Sequence, residues 1–159
     1  MTPSAPPASG TSVRQRPRPV LRAAAETRAG ALPPSTSATS LLQQATEARQ
    51  RDERARAAEL YRRLQREFPG SAEAVLSAVS LGGLLLEDGL PRAALTEFDG
   101  YLAKARGGAL IPEALYGRAR ALGRLGDRAE ERRTWTRLCA DFPDSAYASL
   151  GRHRLAEIE

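Results

Sequence analysis

Three aromatic residues, Tyr61, Phe98 and Trp135, stand 37 residues apart along this chain. Other columns keep the same step. Ala45, Gly82 and Ala119 fall in register, as do Leu64, Tyr101 and Leu138, and Pro69 returns as Pro143 two periods later. Self-similarity at a period of about 20–50 residues marks a repeat architecture, in which each unit is too small to bury its own apolar face and buries it against its neighbours. The 159 residues must therefore be organised largely as a stack of similar units.

The unit is helical. Ala57, Leu60, Tyr61, Leu64 and Phe68 recur at i, i+3, i+4, i+7 and i+11, one stripe of a 3.6-residue period, while Arg56, Glu59, Arg62, Arg63 and Arg66 take the other side. Aromatics make up only 5% of the chain, so the core must be built mostly from Leu and Ala, which suits closely packed helices better than a sandwich of sheets. Ser40, with Gln43 three residues on, has the form of a capping box and predicts the first helix, and Pro69-Gly70 ends the second. Ser71 caps a third helix through Leu86, apolar on most sides and so expected in the middle of the array. Pro91 fits the first turn of a fourth, whose stripe is Ala94, Leu95, Phe98, Tyr101 and Leu102; Pro112 opens a fifth, with Leu115, Ala119 and Leu122 inward. Asp127 and Glu130 start a sixth helix bearing Trp135, Leu138, Cys139 and Phe142. Residues 146–158, with Arg152, Arg154 and Glu157, form the solvating cap that an open-ended stack requires.

Residues 1–39 differ in kind. They hold seven of the eleven prolines, with many Ser and Thr, and cannot offset the entropy of ordering, which predicts a Pro/Arg/Ser-rich disordered tail ahead of a helical domain over 40–159. A short helix over Leu21–Arg28 is the one element the alanines there would favour. The net charge of +5 suggests nucleic acid at first, but the tail's five arginines against Glu26 account for most of it. The helical domain is close to neutral, with Arg and Glu interleaved, which is a self-compensating surface rather than a phosphate-tracking stripe and argues against nucleic acid as the partner. Lys104 is the only lysine, a bias we read as genomic composition. Cys139 is the only cysteine, so no disulfide forms within the chain. Prolines and arginines interrupt every apolar run before Val20, so no signal peptide is read and a cytoplasmic location is expected, with a periplasmic or envelope location as the alternative if Met1 is not the true start. The strongly apolar uncharged stretch over residues 74–86 falls short of the roughly 20 residues a transmembrane helix needs.

These columns resemble the tetratricopeptide repeat, a helix–turn–helix unit of about 34 residues, here lengthened by about three in the connection between units. The family's small residue on the first helix matches Ala45, Gly82 and Ala119; its glycine between helices matches Gly89 and Gly126, with Asp52 in the first copy. Its second small position matches Ala57 and Ala94, whereas Glu131 departs; its closing proline matches Pro69 and Pro143, whereas Arg106 departs. The fold implied is all-α, a right-handed α-solenoid of about three helix–turn–helix repeats with a C-terminal capping helix. The Phe-Pro-Gly-Ser-Ala and Phe-Pro-Asp-Ser-Ala turns look like the lengthened repeats of bacterial envelope proteins, such as outer-membrane assembly lipoproteins and the Tol-Pal coordinator, and like the C-terminal repeats of FecR and anti-sigma-type regulators.

The resemblance implies a protein-interaction scaffold that holds a peptide or helix of its partner in the groove carried by the first helix of each repeat. The family's carboxylate clamp is absent, because the matching positions are Leu42, Thr46, Ser80, Glu113 and Gly117. The candidate groove instead presents Arg49, Leu76, Val79, Leu86, Glu87, Tyr116, Arg120 and Arg124, an apolar floor with an arginine-lined end suited to an acidic or amphipathic partner. The plainer reading is that Leu76, Val79 and Leu86 are core. No enzyme is expected: His153 stands on the exposed cap without metal-ligand spacing, Cys139 lies on a packed stripe, and no strand precedes a glycine-rich phosphate loop, so no cofactor or metal is implied by the pattern. The competing reading is attachment to nucleic acid or an anionic membrane through the Arg14–Arg28 tail, which lacks interleaved aromatics and is less basic than lipid-recognition clusters. A further alternative makes the chain the C-terminal part of an envelope-stress regulator. The sequence implies no particular oligomeric state.

Overall fold

The helix boundaries reflect local chemistry repeated at the 37-residue step. In a computed structural model of the chain, which describes residues 37–105 and 107–158, the described residues form seven helices: α1 (Ala38–Gln50), α2 (Arg54–Glu67), α3 (Ala72–Glu87), α4 (Pro91–Lys104), α5 (Ile111–Leu125), α6 (Arg128–Asp141) and α7 (Ala146–Glu157). The expected tail and its short helix over 21–28 lie outside the described residues.

Within each unit the first helix ends the same way. Asp52, Gly89 and Gly126 hold left-handed φ values of 60°, 73° and 79°. Each is succeeded by one residue whose N–H reaches back five positions, Glu53 to Ala48 O (2.9 Å), Leu90 to Leu85 O (2.8 Å) and Asp127 to Leu122 O (3.1 Å). This is a Schellman-type close, which satisfies carbonyls the helix leaves unpaired and reverses the chain. Glycine makes the turn at no steric cost, and aspartate is among the few other residues that tolerate it. Between units the connection is capped from the other side. Ser71 and Ser145 have extended backbones, and their Oγ atoms accept from Ala74 N–H (3.0 Å) and Tyr147 N–H (3.2 Å).

The first helix starts earlier than the capping-box reading predicts. Ser37, not Ser40, is the N-cap: its backbone is extended and its Oγ accepts from Ser40 N–H at 3.1 Å. Ser40 already lies in the first turn, where its hydroxyl accepts from Gln44 Nε2 at 3.0 Å. Asp127 does cap α6, accepting from Glu130 N–H at 3.1 Å, and Pro91 and Pro112 occupy the first turns of α4 and α5, where a missing N–H leaves nothing unpaired.

Consecutive helices pack against one another in sequence order, and α3 also touches α1 and α5, while α5 touches α7. The first helices of the units, with α7, therefore line one face and α2, α4 and α6 the other. The repeating columns are the core: Tyr61, Phe98 and Trp135 are buried, as are Leu64, Tyr101 and Leu138. Phe98 shows why the small column is needed. A Cβ on Gly82 would stand 2.8 Å from its ring, and one on Gly117 would overlap the ring from the next unit, so the two glycines let α3 and α5 close on one aromatic from both sides. Polar links between units lie on the opposite face, from Gln65 to Glu97 (3.0 Å) and from Arg118 to Asp99 (2.7 Å).

Candidate functional site

On the face formed by α1, α3, α5 and α7, six of the eight predicted residues meet at one cleft of about 130 Å³: Arg49, Val79, Leu86, Glu87, Tyr116 and Arg120. Gly83 opens it. A Cβ there would meet nothing closer than the Arg49 guanidinium at 3.9 Å, so the absence of a side chain leaves real space. Gly117 and the edge of Phe98 close the bottom.

The apolar floor differs from the sequence expectation. Val79 and Leu86 are each 2% exposed, packed against neighbouring helices and offering the cleft only their edges. The row of α3 that faces outward is Leu76, Ser80, Gly83 and Glu87, offset by about one residue from the predicted floor of Leu76, Val79 and Leu86. A 3.6-residue period accommodates both rows, and only the neighbouring helices decide between them. Leu76 belongs to that outer row and is 40% exposed, beyond the cleft. Arg124 lies in an adjoining cavity rather than in the cleft, and one of its N–H groups donates to the carbonyl of Leu86, so it ties the end of α3 to α5.

Two features of the cleft were not predicted. Tyr147, from α7, stacks on Tyr116 with ring centroids 4.7 Å apart and planes 24° apart. Burial first, then the carboxylate of Glu113 and the Tyr116 phenol, push the Tyr147 hydroxyl above its ordinary range. The Arg120 guanidinium lies 5.3 Å from the centre of the Tyr116 ring, a cation–π contact. Reading α7 solely as a solvating cap hides Tyr147. The available signal is that α7 comes after the same Phe-Pro-x-Ser turn as α3, which makes it the first helix of a fourth unit and puts its first turn on the groove side.

The adjoining cavity, about 430 Å³, lies between α5, α6 and α7 and shares Tyr116 and Arg120 with the cleft. Its distinctive residue is Glu131, the departure from the Ala57/Ala94 column, which is 2% exposed. Oε1 accepts from Arg154 Nε (2.8 Å) and from Trp135 Nε1 (3.3 Å); Oε2 is buried without a partner among the described residues. A glutamate fits here because Gly123 faces it, a Cβ on which would stand 2.9 Å from Oε1. His153 is exposed and 3.3 Å from Glu157 Oε1, and the Cys139 thiol approaches the Ala148 carbonyl at 3.5 Å, both surroundings of structural residues.

With this geometry in view, the tetratricopeptide repeat family model matches residues 39–71 and 113–145. These segments are the first unit, α1–α2, and the third, α5–α6, each with its closing turn. No curated protein matches the chain. Fold and match together support a tetratricopeptide-repeat protein, an all-α solenoid of three helix–turn–helix units and a capping helix. The middle unit keeps the turn, the aromatic and the small column outside the matched segments. Repeats of this kind mediate protein–protein interaction and are typically non-catalytic, and among the described residues no helix is long and apolar enough to cross a membrane.

Proposed function

We propose that the protein is a non-catalytic scaffold that holds an acidic, amphipathic segment of a partner protein along the face of α1, α3, α5 and α7. The observation that carries this reading is the cleft at Gly83. It has an aromatic wall, the stacked Tyr116 and Tyr147, and charges of both signs around it: the guanidiniums of Arg49 and Arg120, which form no ion pair among the described residues, and the carboxylates of Glu113 and of Glu87, the latter 4.0 Å from Arg54. Such a site takes one apolar side chain, with carboxylates of the partner set against Arg49 and Arg120. Burial of one to three apolar anchors at about 1.5–3 kcal/mol each, set against ordering costs, supports binding of roughly micromolar strength, and the exposed arginines act mainly on association rate and selectivity.

The test is site-specific photocrosslinking in the source cell, with benzoylphenylalanine replacing Ser80 on the groove face or Arg62 on the opposite face. Ser80 should yield a discrete adduct whose crosslinked segment is rich in Asp and Glu. Gly83→Leu, whose Cβ meets no core atom and whose side chain fills the cleft, should abolish it. An adduct from Arg62 alone, or one from Ser80 that Gly83→Leu leaves intact, overturns the groove reading.

A further inference from the structure

The cavity between α5, α6 and α7 has a feature that helix packing does not require. In the first two units the position of Glu131 is alanine, Ala57 and Ala94, each fully buried. The third unit places a carboxylate there and removes the side chain opposite, at Gly123, to admit it. Burying a carboxylate is costly unless its oxygens are satisfied, and an acceptor left bare in a low-dielectric site retains that cost. Glu131 is satisfied on one oxygen only. Arg154 and the Trp135 indole share Oε1, and Oε2 has no partner among the described residues. Around it the walls are aromatic and apolar, Trp135, Tyr116 and Leu150, the last 51% exposed. At the rim are Arg120 and Arg124, neither in an ion pair among the described residues.

A flat ring bearing one hydrogen-bond donor fits this arrangement: the ring packs on Trp135 and Leu150 and the donor meets Oε2. A cation is disfavoured, since Arg120, Arg124 and Arg154 outnumber the one carboxylate. Entry takes a shift of the Arg154 side chain, which is 38% exposed and lines the cavity. It keeps a partner when it shifts, because its Nη1 already donates to Glu157 Oε2 at 3.0 Å.

We propose that this cavity is the anchor pocket for a tyrosine of the partner segment, its phenol donating to Glu131 Oε2 and its flanking carboxylates facing Arg120 and Arg124. The acidic flank rests on the groove reading above; the phenol pocket stands on Glu131 itself. A site built to receive a hydroxyl rejects the analogue that lacks it, because the buried acceptor is then left unpaired. Tyrosine and phenylalanine therefore separate this pocket from a merely greasy one.

The chain has one tryptophan, so 15N-labelled protein gives a single indole N–H signal, that of Trp135, which reports directly on the Glu131 carboxylate. The probes are acetyl-Glu-Tyr-Glu-amide, acetyl-Glu-Phe-Glu-amide and acetyl-Gln-Tyr-Gln-amide, titrated at low salt. The Tyr peptide with acidic flanks should move the Trp135 signal and bind at least about tenfold more tightly than its Phe counterpart. The Gln-flanked peptide should bind more weakly, and only the Glu-flanked affinity should fall with added salt. In Glu131→Met, of similar length, Tyr and Phe peptides should bind within about twofold of each other. Gly123→Ala, whose methyl displaces the carboxylate, should do the same and guards against a Glu131 variant that fails to fold. Equal affinity of the Tyr and Phe peptides for the parent protein, or an unmoved Trp135 signal at millimolar peptide, overturns the pocket. Groove crosslinking from Ser80 with failed peptide discrimination leaves the groove and removes the pocket; Tyr selectivity without any Ser80 adduct does the reverse.

Discussion

Alanine replaces glycine in a helix with a gain of about 0.8–1 kcal/mol, because glycine gives up more backbone freedom on folding. At Gly100, in α4, a new Cβ meets nothing within 4 Å, so Gly100→Ala should stabilise the protein by up to that amount. At Gly117 the same substitution should do the opposite. Its Cβ would stand 2.5 Å from Phe98 Cε1 and 2.7 Å from Cε2, and the ring cannot retreat, since it is 2% exposed and already closed upon by Gly82 from α3. Overpacking of this kind costs typically about 1–3 kcal/mol before the propensity gain is subtracted. Gly117→Ala should thus lie about 1–3 kcal/mol below Gly100→Ala in urea unfolding monitored by circular dichroism. The comparison is made at constant m, because stacked repeats need not unfold in a single step. Phe98→Leu removes the clashing ring atoms, so the double variant should be more stable than the sum of the single changes predicts, with a coupling on the order of 1 kcal/mol or more. Gly117→Ala at or above the stability of Gly100→Ala would refute the claim that one aromatic pins two adjacent units through a glycine on each.

Two further outcomes are expected. Trp135→Ala should cost about 3–5 kcal/mol in the same assay, since the indole is buried in the third unit against Leu115, Ala119 and Leu138 and also holds Glu131; a melting temperature within a degree of the parent's would remove it from the core. Tyr147 has its folded pKa raised above the ordinary 10, so the stability it contributes is fully present below that value and is lost as pH rises through the folded pKa. Tyr147→Phe should flatten that alkaline decline in melting temperature, and an unchanged decline would show that the Tyr116–Tyr147 stack does not withhold the phenolate from water.

How far the sequence could be read depended on which interactions were local. The left-handed turns at Asp52, Gly89 and Gly126, the aromatic column and the prolines opening α4 and α5 are set by residues within one helix–turn–helix unit, and a fixed spacing exposes them. The rotation of α3 is not local. Leu76, Val79, Ser80, Gly83, Leu86 and Glu87 allow two outward rows about one residue apart, and the choice falls to Phe98 from α4 and the flanking helices α1 and α5, whose contacts no periodicity within α3 encodes. Leu41 illustrates the converse: modest in pattern, it is fully buried because α3 covers the face that α1 alone would leave open.

The departures from the repeat are the more informative positions for function. A column exists because the same packing problem recurs in every unit, so a residue that keeps to its column reports only on stacking. Glu131 leaves the small column, and Gly123 stands where the first two units have Arg49 and Leu86. Either change alone would be unfavourable, a buried carboxylate clashing with a side chain in one case and a void in the other. Together they create an acceptor that neither neighbouring unit has, beside the arginines of α5. A solenoid of near-identical units presents near-identical surfaces, and a partner can be held in one register only where a unit breaks the pattern. In this chain the break lies at the end of α5, next to the aromatic wall of the groove, which is why the register of any bound segment should be set by the third unit rather than by the first two.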